Sequence, residues 1–187
     1  MPYITLTWDH FIIVFFVVVL AYSFIIGKSK TVKLILSGYA AILGAEALGN
    51  VINHAAEILN PRLPHMNMVI DPSALIITKI SLFVFFMVFL AVKGNFEITM
   101  QNRKPAEEFA FTLFFGVLNA IFMITTVLVF ISEFTLLLTG KSIFEDNITQ
   151  MFDQSRLVKI IAVHYHVFLA LPVISLIITS FIDNDNS

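Results

Sequence analysis

Residues 8–26 read WDHFIIVFFVVVLAYSFII, and this stretch determines the class of fold. From Phe11 onward it contains no charged side chain. An α-helix rises about 1.5 Å per residue and the hydrocarbon layer of a bilayer is about 30 Å thick, so about 20 apolar residues cross it. The stretch therefore predicts a transmembrane helix, with Trp8 at the membrane boundary, where aromatic rings are enriched.

Apolar blocks of similar length follow along the rest of the chain. They predict further spans at residues 32–59, 73–92 and 106–138, and an interfacial amphipathic helix over 143–158. A last block at 160–182 contains Pro172, so it is expected either to cross the membrane or to form a re-entrant hairpin around that proline. The sequence thus predicts an all-α fold: a polytopic transmembrane helical bundle of four to five spans, in a single membrane domain over residues 1–187.

The composition narrows the range of functions. Charged residues make up 13% of the chain, against about 25% in ordinary soluble domains, and the formal net charge is −2. The absence of cysteine excludes disulfide frameworks, thiolate metal sites and thiol redox relays. Because nucleic-acid binding needs a clustered basic face, no nucleic-acid partner is expected. The expected partner is the lipid bilayer.

Basic residues between the blocks predict the orientation. The stretch that ends the first span and leads into the second contains Lys28, Lys30 and Lys33, which we expect to form a loop, whereas the residues before the first span include no Lys or Arg. Basic segments stay in the cytoplasm, so we expect a multi-pass protein of the cytoplasmic (inner) membrane with its N-terminus outside. The same N-terminal residues lack the basic start of a signal peptide, so the first helix is expected to be retained.

The second span differs from the first because it carries small and polar residues on adjacent faces. At 100° per residue, one face consists of small residues that would allow close helix packing: Gly38, Ala41, Ala45 and Gly49. Beside it runs a polar stripe: Glu46, Asn50, Asn53 and Glu57. An ionised carboxylate inside a membrane is costly, so Glu46 is expected to be protonated, paired with a cation or next to water.

Two interpretations of Glu46 remain open at this point. In one, it lines an ion or proton path together with Asn50, Asn53, and Asn119 and Thr126 of the fourth span. In the other, which is the commoner use of such residues, Glu46 bonds to Asn119 or Thr126 and only holds helices together. Lys79, near the start of the third span, is expected to extend to the membrane boundary or to pair with Glu57.

No residue pattern in the chain predicts catalysis. His164 and His166 are two residues apart and would point to opposite sides of a helix, which makes them poor joint metal ligands. The sequence contains no Gly-x-Ser-x-Gly motif and no phosphate-binding glycine loop. We therefore expect a protein that is not an enzyme, with no catalytic residue, no metal and no cofactor.

Several short motifs resemble those of a known family. Asp9 precedes the first span, Gly27-Lys28 ends it, small residues from Ser37 to Ala45 open the second, and Ser155-Arg156-Leu157 precedes an amphipathic stretch. This order resembles the colicin V production protein family, small proteins of the bacterial cytoplasmic membrane. The resemblance implies a non-enzymatic role in envelope homeostasis or in the production of a secreted peptide toxin.

The polar residues of the second and fourth spans predict a different function, a small ion or proton channel or carrier. The two hypotheses place different demands on the chain. A carrier needs the Glu46 carboxylate itself, whereas an assembly factor needs the small residues for packing, either against a second copy of the chain or against another membrane protein.

Overall fold

A computed structural model describes residues 8–59, 72–94, 105–137 and 155–184, and nearly all of these residues are helical. In chain order the helices are α1 (Trp8–Ile26), α2 (Lys28–Leu59), α3 (Pro72–Lys93), α4 (Pro105–Leu137), α5 (Arg156–Val163) and α6 (Tyr165–Asn184). The all-α prediction is confirmed. Most of the predicted interfacial helix at 143–158 lies outside the described residues, which resume at Ser155.

Four of these helices are long and apolar enough to cross a membrane, as predicted: α1, α2, α3 and α4. The pair α5 and α6 adds a fifth span if the two helices are counted as one broken crossing. The protein is therefore a multi-pass membrane protein of four to five spans.

The connection between α1 and α2 is a single residue, Gly27. Its φ of +80° is a left-handed conformation that glycine adopts without the steric penalty of a Cβ atom. The amide of Gly27 donates to the carbonyl of Ser23 at 3.0 Å, and the Thr31 hydroxyl donates to the Gly27 carbonyl at 2.9 Å. The prediction of a basic loop here is wrong: because one residue is enough for the turn, Lys28, Lys30 and Lys33 lie in the first turns of α2.

The break between α5 and α6 lies at His164, where the two helices meet at 67°. The amide of His164 donates to Ile160, closing α5, and its carbonyl accepts from Val167 and Phe168, opening α6. Helix α6 continues through Pro172 without interruption. The alternative of a hairpin around Pro172 is therefore wrong, because the turn occurs eight residues earlier.

The chain divides into two compact units. Unit 1 comprises residues Met1–Ile35 and Phe96–Ser187, and unit 2 comprises Leu36–Asn95. Helix α2 thus contributes its first eight residues to unit 1 and the remainder to unit 2. The single membrane domain predicted for the whole chain stays a prediction.

Unit 1 is organised around α4. Two thirds (67%) of its membrane-spanning stretch is buried, against 17% for α1. The ring of Phe24, near the end of α1, packs on Phe109 at the start of α4, and Trp8 lies beside Ile131 at the other end. The two helices are therefore antiparallel. Ile12, Ile124, Leu128 and Val158 form the apolar core between α1, α4 and α5.

Helix α6 also runs antiparallel to α4. Phe168 shares an apolar cavity with Ile121 and Ile124, whereas Thr179, eleven residues further on, faces Phe111. The end of α6 therefore lies at the same end of unit 1 as the start of α4 and the end of α1. We therefore expect α6 to cross the membrane alongside α1.

A labelling experiment tests this crossing. The chain contains no cysteine, so single cysteines introduced at Lys30 and after Ser187 give signals without background. We expect a membrane-impermeant maleimide to reach both positions from the same side of the membrane, and a cysteine before Met1 from the opposite side. Labelling of the Lys30 and C-terminal cysteines from opposite sides would contradict the crossing of α6.

Candidate functional site

Unit 2 contains an ion pair inside the membrane-spanning part of its helices. The ammonium Nζ of Lys79 in α3 lies 2.8 Å from Oε2 of Glu46 in α2 and donates a hydrogen bond to it. The Lys79 side chain is 10% exposed and that of Glu46 is 29% exposed. The pair removes most of the cost of placing either charge alone in a membrane.

Two glycines of α2 make room for α3. A Cβ atom on Gly49 would lie 2.7 Å from Cγ and 2.9 Å from Cε of Lys79, so a larger residue would force the lysine chain to shift from its path to Glu46. A Cβ atom on Gly44 would lie 3.2 Å from the ring of Phe86. Small residues thus allow close helix approach at both contacts.

The predicted small face of α2 is buried along its length. Ala41 and Ala45 are fully buried, and Gly38 and Gly49 are buried as well. Gly49 is the member of this face that contacts the Lys79 side chain. The predicted packing role of this face is therefore consistent with its burial, and its effect on association stays a prediction.

The polar stripe of α2 does not continue from Glu46 as a buried row. Asn50 is exposed and Asn53 is half-buried. The side chain of Glu57 lies outside the part of the chain that the structure describes. Among the predicted path residues on α2, Glu46 bonds to another helix through Lys79 of α3.

The structure pairs Lys79 with Glu46, an acid that the sequence analysis did not suggest for it. The extension of Lys79 to the membrane boundary stays a prediction. A 32-residue helix such as α2 is about 48 Å long, more than the hydrocarbon thickness, so the depth of Glu46 does not follow from its position in the helix. The sequence therefore does not indicate which acidic residue lies level with Lys79.

Unit 1 contains a second polar contact, between α1 and α4. The amide Nδ2 of Asn119 donates to Oγ of Ser23 at 3.4 Å, and Ser23 Oγ donates to the Val19 carbonyl at 3.0 Å. Both side chains are fully buried. A Cβ atom on Gly116 would lie 2.9 Å from Cδ1 of Leu20 and 3.1 Å from Cβ of Ser23, so the glycine allows the close approach of the two helices.

The predicted hydrogen bond from Glu46 to Asn119 or Thr126 is not the one that forms. Glu46 bonds to Lys79, and Asn119 bonds to Ser23. The hydroxyl of Thr126 is buried and donates to the carbonyl of Phe122 in its own helix at 2.8 Å. Glu46 belongs to unit 2 and the other two residues to unit 1, so the predicted path that joins them stays a prediction.

Each polar contact leaves one buried oxygen without a hydrogen-bond partner among the described residues. In unit 2 this atom is Oε1 of Glu46, and in unit 1 it is Oδ1 of Asn119. Leaving a buried acceptor unpaired costs about 1–3 kcal/mol. These two oxygens, like the buried hydroxyls of Ser37 and Thr125, would therefore be stabilised by binding water or an ion.

A third polar contact joins the start of α1 to the start of α5 in unit 1. Oδ1 of Asp9, at the start of α1, accepts a short hydrogen bond from the Ser155 hydroxyl and another from the Leu157 amide at 3.3 Å. Ser155 in turn caps α5, because its Oγ accepts from the Val158 amide at 3.1 Å. A carboxylate at this position is also stabilised by the positive end of the helix dipole.

Sequence reasoning missed Ser23 as a contact residue, and it missed the partners of Lys79 and Asp9. Ser23 gives a usable signal, since it is a small polar residue in an otherwise apolar helix. Ser155 also gives one, because serine directly before a helix is a common cap. The partners of these residues are 33 to 148 positions away in the chain, and no local pattern indicates them.

The ion pair predicts a characteristic pattern of stability. Lys79→Met leaves a buried carboxylate unpaired and Glu46→Leu leaves a buried ammonium unpaired, so each is expected to lower the free energy of unfolding by about 3 kcal/mol. The double variant Glu46→Leu/Lys79→Met removes both charges and is expected to lie within about 1 kcal/mol of the wild type. Denaturant unfolding in detergent, followed by circular dichroism, measures all three.

Asn50→Leu is the matched control, since it removes an exposed polar side chain from the same helix and is expected to change stability by less than about 0.5 kcal/mol. A double variant as unstable as the two single variants combined would show that the charges do not interact.

The close approach at Gly116 gives a second stability prediction. Gly116→Leu places a branched side chain against Leu20 and Ser23, so we expect it to force α1 from α4 and cost about 1–3 kcal/mol. Ala21→Leu adds nearly as much bulk, to the exposed face of α1, and is expected to be nearly neutral. Equal melting temperatures for the two variants in detergent would contradict this packing role.

Among the described residues there is no group of three or more His, Asp or Glu side chains placed to hold a metal ion. Comparisons with protein-family models, with curated proteins and with solved structures find no match to this chain. The function is therefore inferred from the contacts above.

Proposed function

We propose that this multi-pass membrane protein is a non-enzymatic factor of the bacterial cytoplasmic membrane, acting in envelope homeostasis or in the production of a secreted peptide toxin. The observation that carries the proposal is the contact of Asp9 with Ser155 and Leu157. These residues belong to two separate motifs of the resemblance to the colicin V production protein family. Their meeting supports that resemblance, because it gives two distant motifs one structural purpose.

The ion pair in unit 2 favours an assembly role over a catalytic one. Oε2 of Glu46 forms an ion pair with Lys79, and Gly49 leaves room for the lysine side chain. A carboxylate fixed in this way holds two helices together, and the bonded oxygen is not free to act as a general base. The orientation that belongs to the proposal, with the N-terminus outside, rests on the lysines at the start of α2.

A second candidate, an ion or proton carrier, is favoured by a different observation. Oε1 of Glu46 is buried and has no hydrogen-bond partner within the described residues. Ionisable side chains inside membranes often mark ion or proton routes. In this alternative, transport would require Lys79 to release Glu46 as the carboxylate takes up a proton.

A flux measurement separates the two candidates. The purified protein is reconstituted in liposomes that contain a pH-sensitive dye, and proton flux is compared for the wild type and for Glu46→Leu/Lys79→Met. The assembly-factor proposal predicts no protein-dependent flux in either sample. Flux in the wild type that disappears in the folded double variant would support the carrier and overturn the assembly factor.

A complementation experiment in cells tests the proposed function directly. In a strain that lacks the gene, uptake of a membrane-impermeant dye and the amount of secreted peptide are measured with each variant restored. We expect Asp9→Ala to fail to restore the wild-type phenotype, whereas Glu46→Leu/Lys79→Met restores it. Full restoration by a normally expressed Asp9→Ala variant would contradict the importance of the Asp9 contact.

A further inference from the structure

Unit 1 contains a cavity of about 280 Å³ beneath α5. Four helices contribute to its lining, including Ile12 and Phe16 of α1, Ile124 of α4, Ile161 of α5 and Phe168 of α6. Every lining side chain is aliphatic or aromatic. A cavity without polar partners is a poor site for water, so its natural occupant is hydrocarbon.

The cavity lies near Trp8, which the sequence predicts at a membrane boundary. The start of α5 contacts Asp9, which follows Trp8 at the start of the first span. Helix α5 meets α6 at 67°. Because α6 is expected to cross the membrane, we expect this angle to turn α5 toward the plane of the membrane surface. Ile160 of α5 lines the cavity and is still 52% exposed, so the cavity borders the surrounding lipid.

The outer face of α5 carries two cations. Arg156 and Lys159 are three residues apart and exposed, and neither has an ion pair or hydrogen bond from its side chain among the described residues. Asp9, which contacts the start of α5, has its Oδ1 occupied by the Ser155 hydroxyl and the Leu157 amide. The formal charges of Arg156, Lys159 and Asp9 sum to +1.

We propose that α5 and the cavity beneath it form a binding site for an anionic phospholipid. The headgroup phosphate contacts Arg156 and Lys159, and one acyl chain occupies the apolar cavity. Arginine and lysine both donate hydrogen bonds to phosphate oxygens, and juxtamembrane basic residues attract anionic lipids. The proposal shares the contact of Asp9 with Ser155 and Leu157 with the function proposed above. It does not depend on that function, because it is argued from the two cations and the cavity, and its test measures lipid preference.

The single tryptophan of the chain provides the measurement. Trp8 lines a small depression that shares Ile12 and Ile124 with the cavity. The full chain is reconstituted in two sets of phosphatidylcholine vesicles. One set contains phosphatidylglycerol with brominated acyl chains, and the other contains brominated phosphatidylcholine at the same mole fraction. Bromine quenches tryptophan fluorescence at short range, so we expect the brominated phosphatidylglycerol to quench Trp8 more strongly.

Variants of the two cations test the headgroup contact. Each cation near a membrane surface contributes about a fivefold preference for anionic lipid, so Arg156→Gln and Lys159→Gln are each expected to reduce the preference by about that factor. Lys30→Gln removes an exposed cation at the other end of α1 and is the matched control, with an unchanged preference expected. Circular dichroism checks that each variant is folded.

A variant of the cavity tests the acyl-chain contact. Ile13 lines the cavity and is 52% exposed, so Ile13→Phe narrows the cavity without burying a new polar group. We expect it to weaken quenching by brominated phosphatidylglycerol while both cations are intact. Equal quenching by the two lipids in the wild type, or a preference that survives Arg156→Gln/Lys159→Gln, would overturn the site. Undiminished quenching in Ile13→Phe would overturn occupation of the cavity by an acyl chain.

Discussion

A polar side chain inside the hydrocarbon layer must find its partner within the protein, and this constraint accounts for the main interhelical contacts. In unit 1, Asn119 reaches Ser23 and the contact lies next to Gly116. In unit 2, Lys79 reaches Glu46 and crosses Gly49. Both contacts combine a glycine and a polar residue three positions apart on one helix. This spacing puts them on the same face, so the residue that admits the neighbouring helix lies beside the residue that bonds to it.

The same constraint is met incompletely in both units. Asn119 uses its amide nitrogen and leaves its oxygen unpaired, and Glu46 uses one carboxylate oxygen and leaves the other unpaired, within the described residues. The bonded atoms fix which helices meet, while the unpaired atoms carry a free-energy cost. That cost is the physical basis for the carrier alternative, because an ion or proton would reduce it. The bonded atoms, in turn, are the physical basis for an assembly role.

The helices could be predicted from the sequence because each depends on a local property, the length of an apolar block. The contacts between side chains of different helices could not be predicted, because they depend on the position of one helix along the axis of its neighbour. Lys79 illustrates this: it pairs with Glu46, and the depth of Glu46 in a long helix has no sequence signature.

Two other errors have local causes. Pro172 suggests a break, yet α6 accommodates it and the chain turns at His164 instead. The lysines after Gly27 suggest a loop, yet one glycine with positive φ is enough for the turn.

The discontinuity of unit 1 has a consequence for the synthesis of the protein. Ser23 and Asn119 are 96 residues apart, with the whole of unit 2 between them. At about 5–20 residues per second, α1 waits about 5–20 s after its own synthesis before Asn119 exists. During this interval the Ser23 hydroxyl already has an acceptor, the Val19 carbonyl in its own helix. The first helix can therefore enter the membrane alone with its hydroxyl satisfied, and α4, arriving later, adds its amide to a group that never had to be left unpaired.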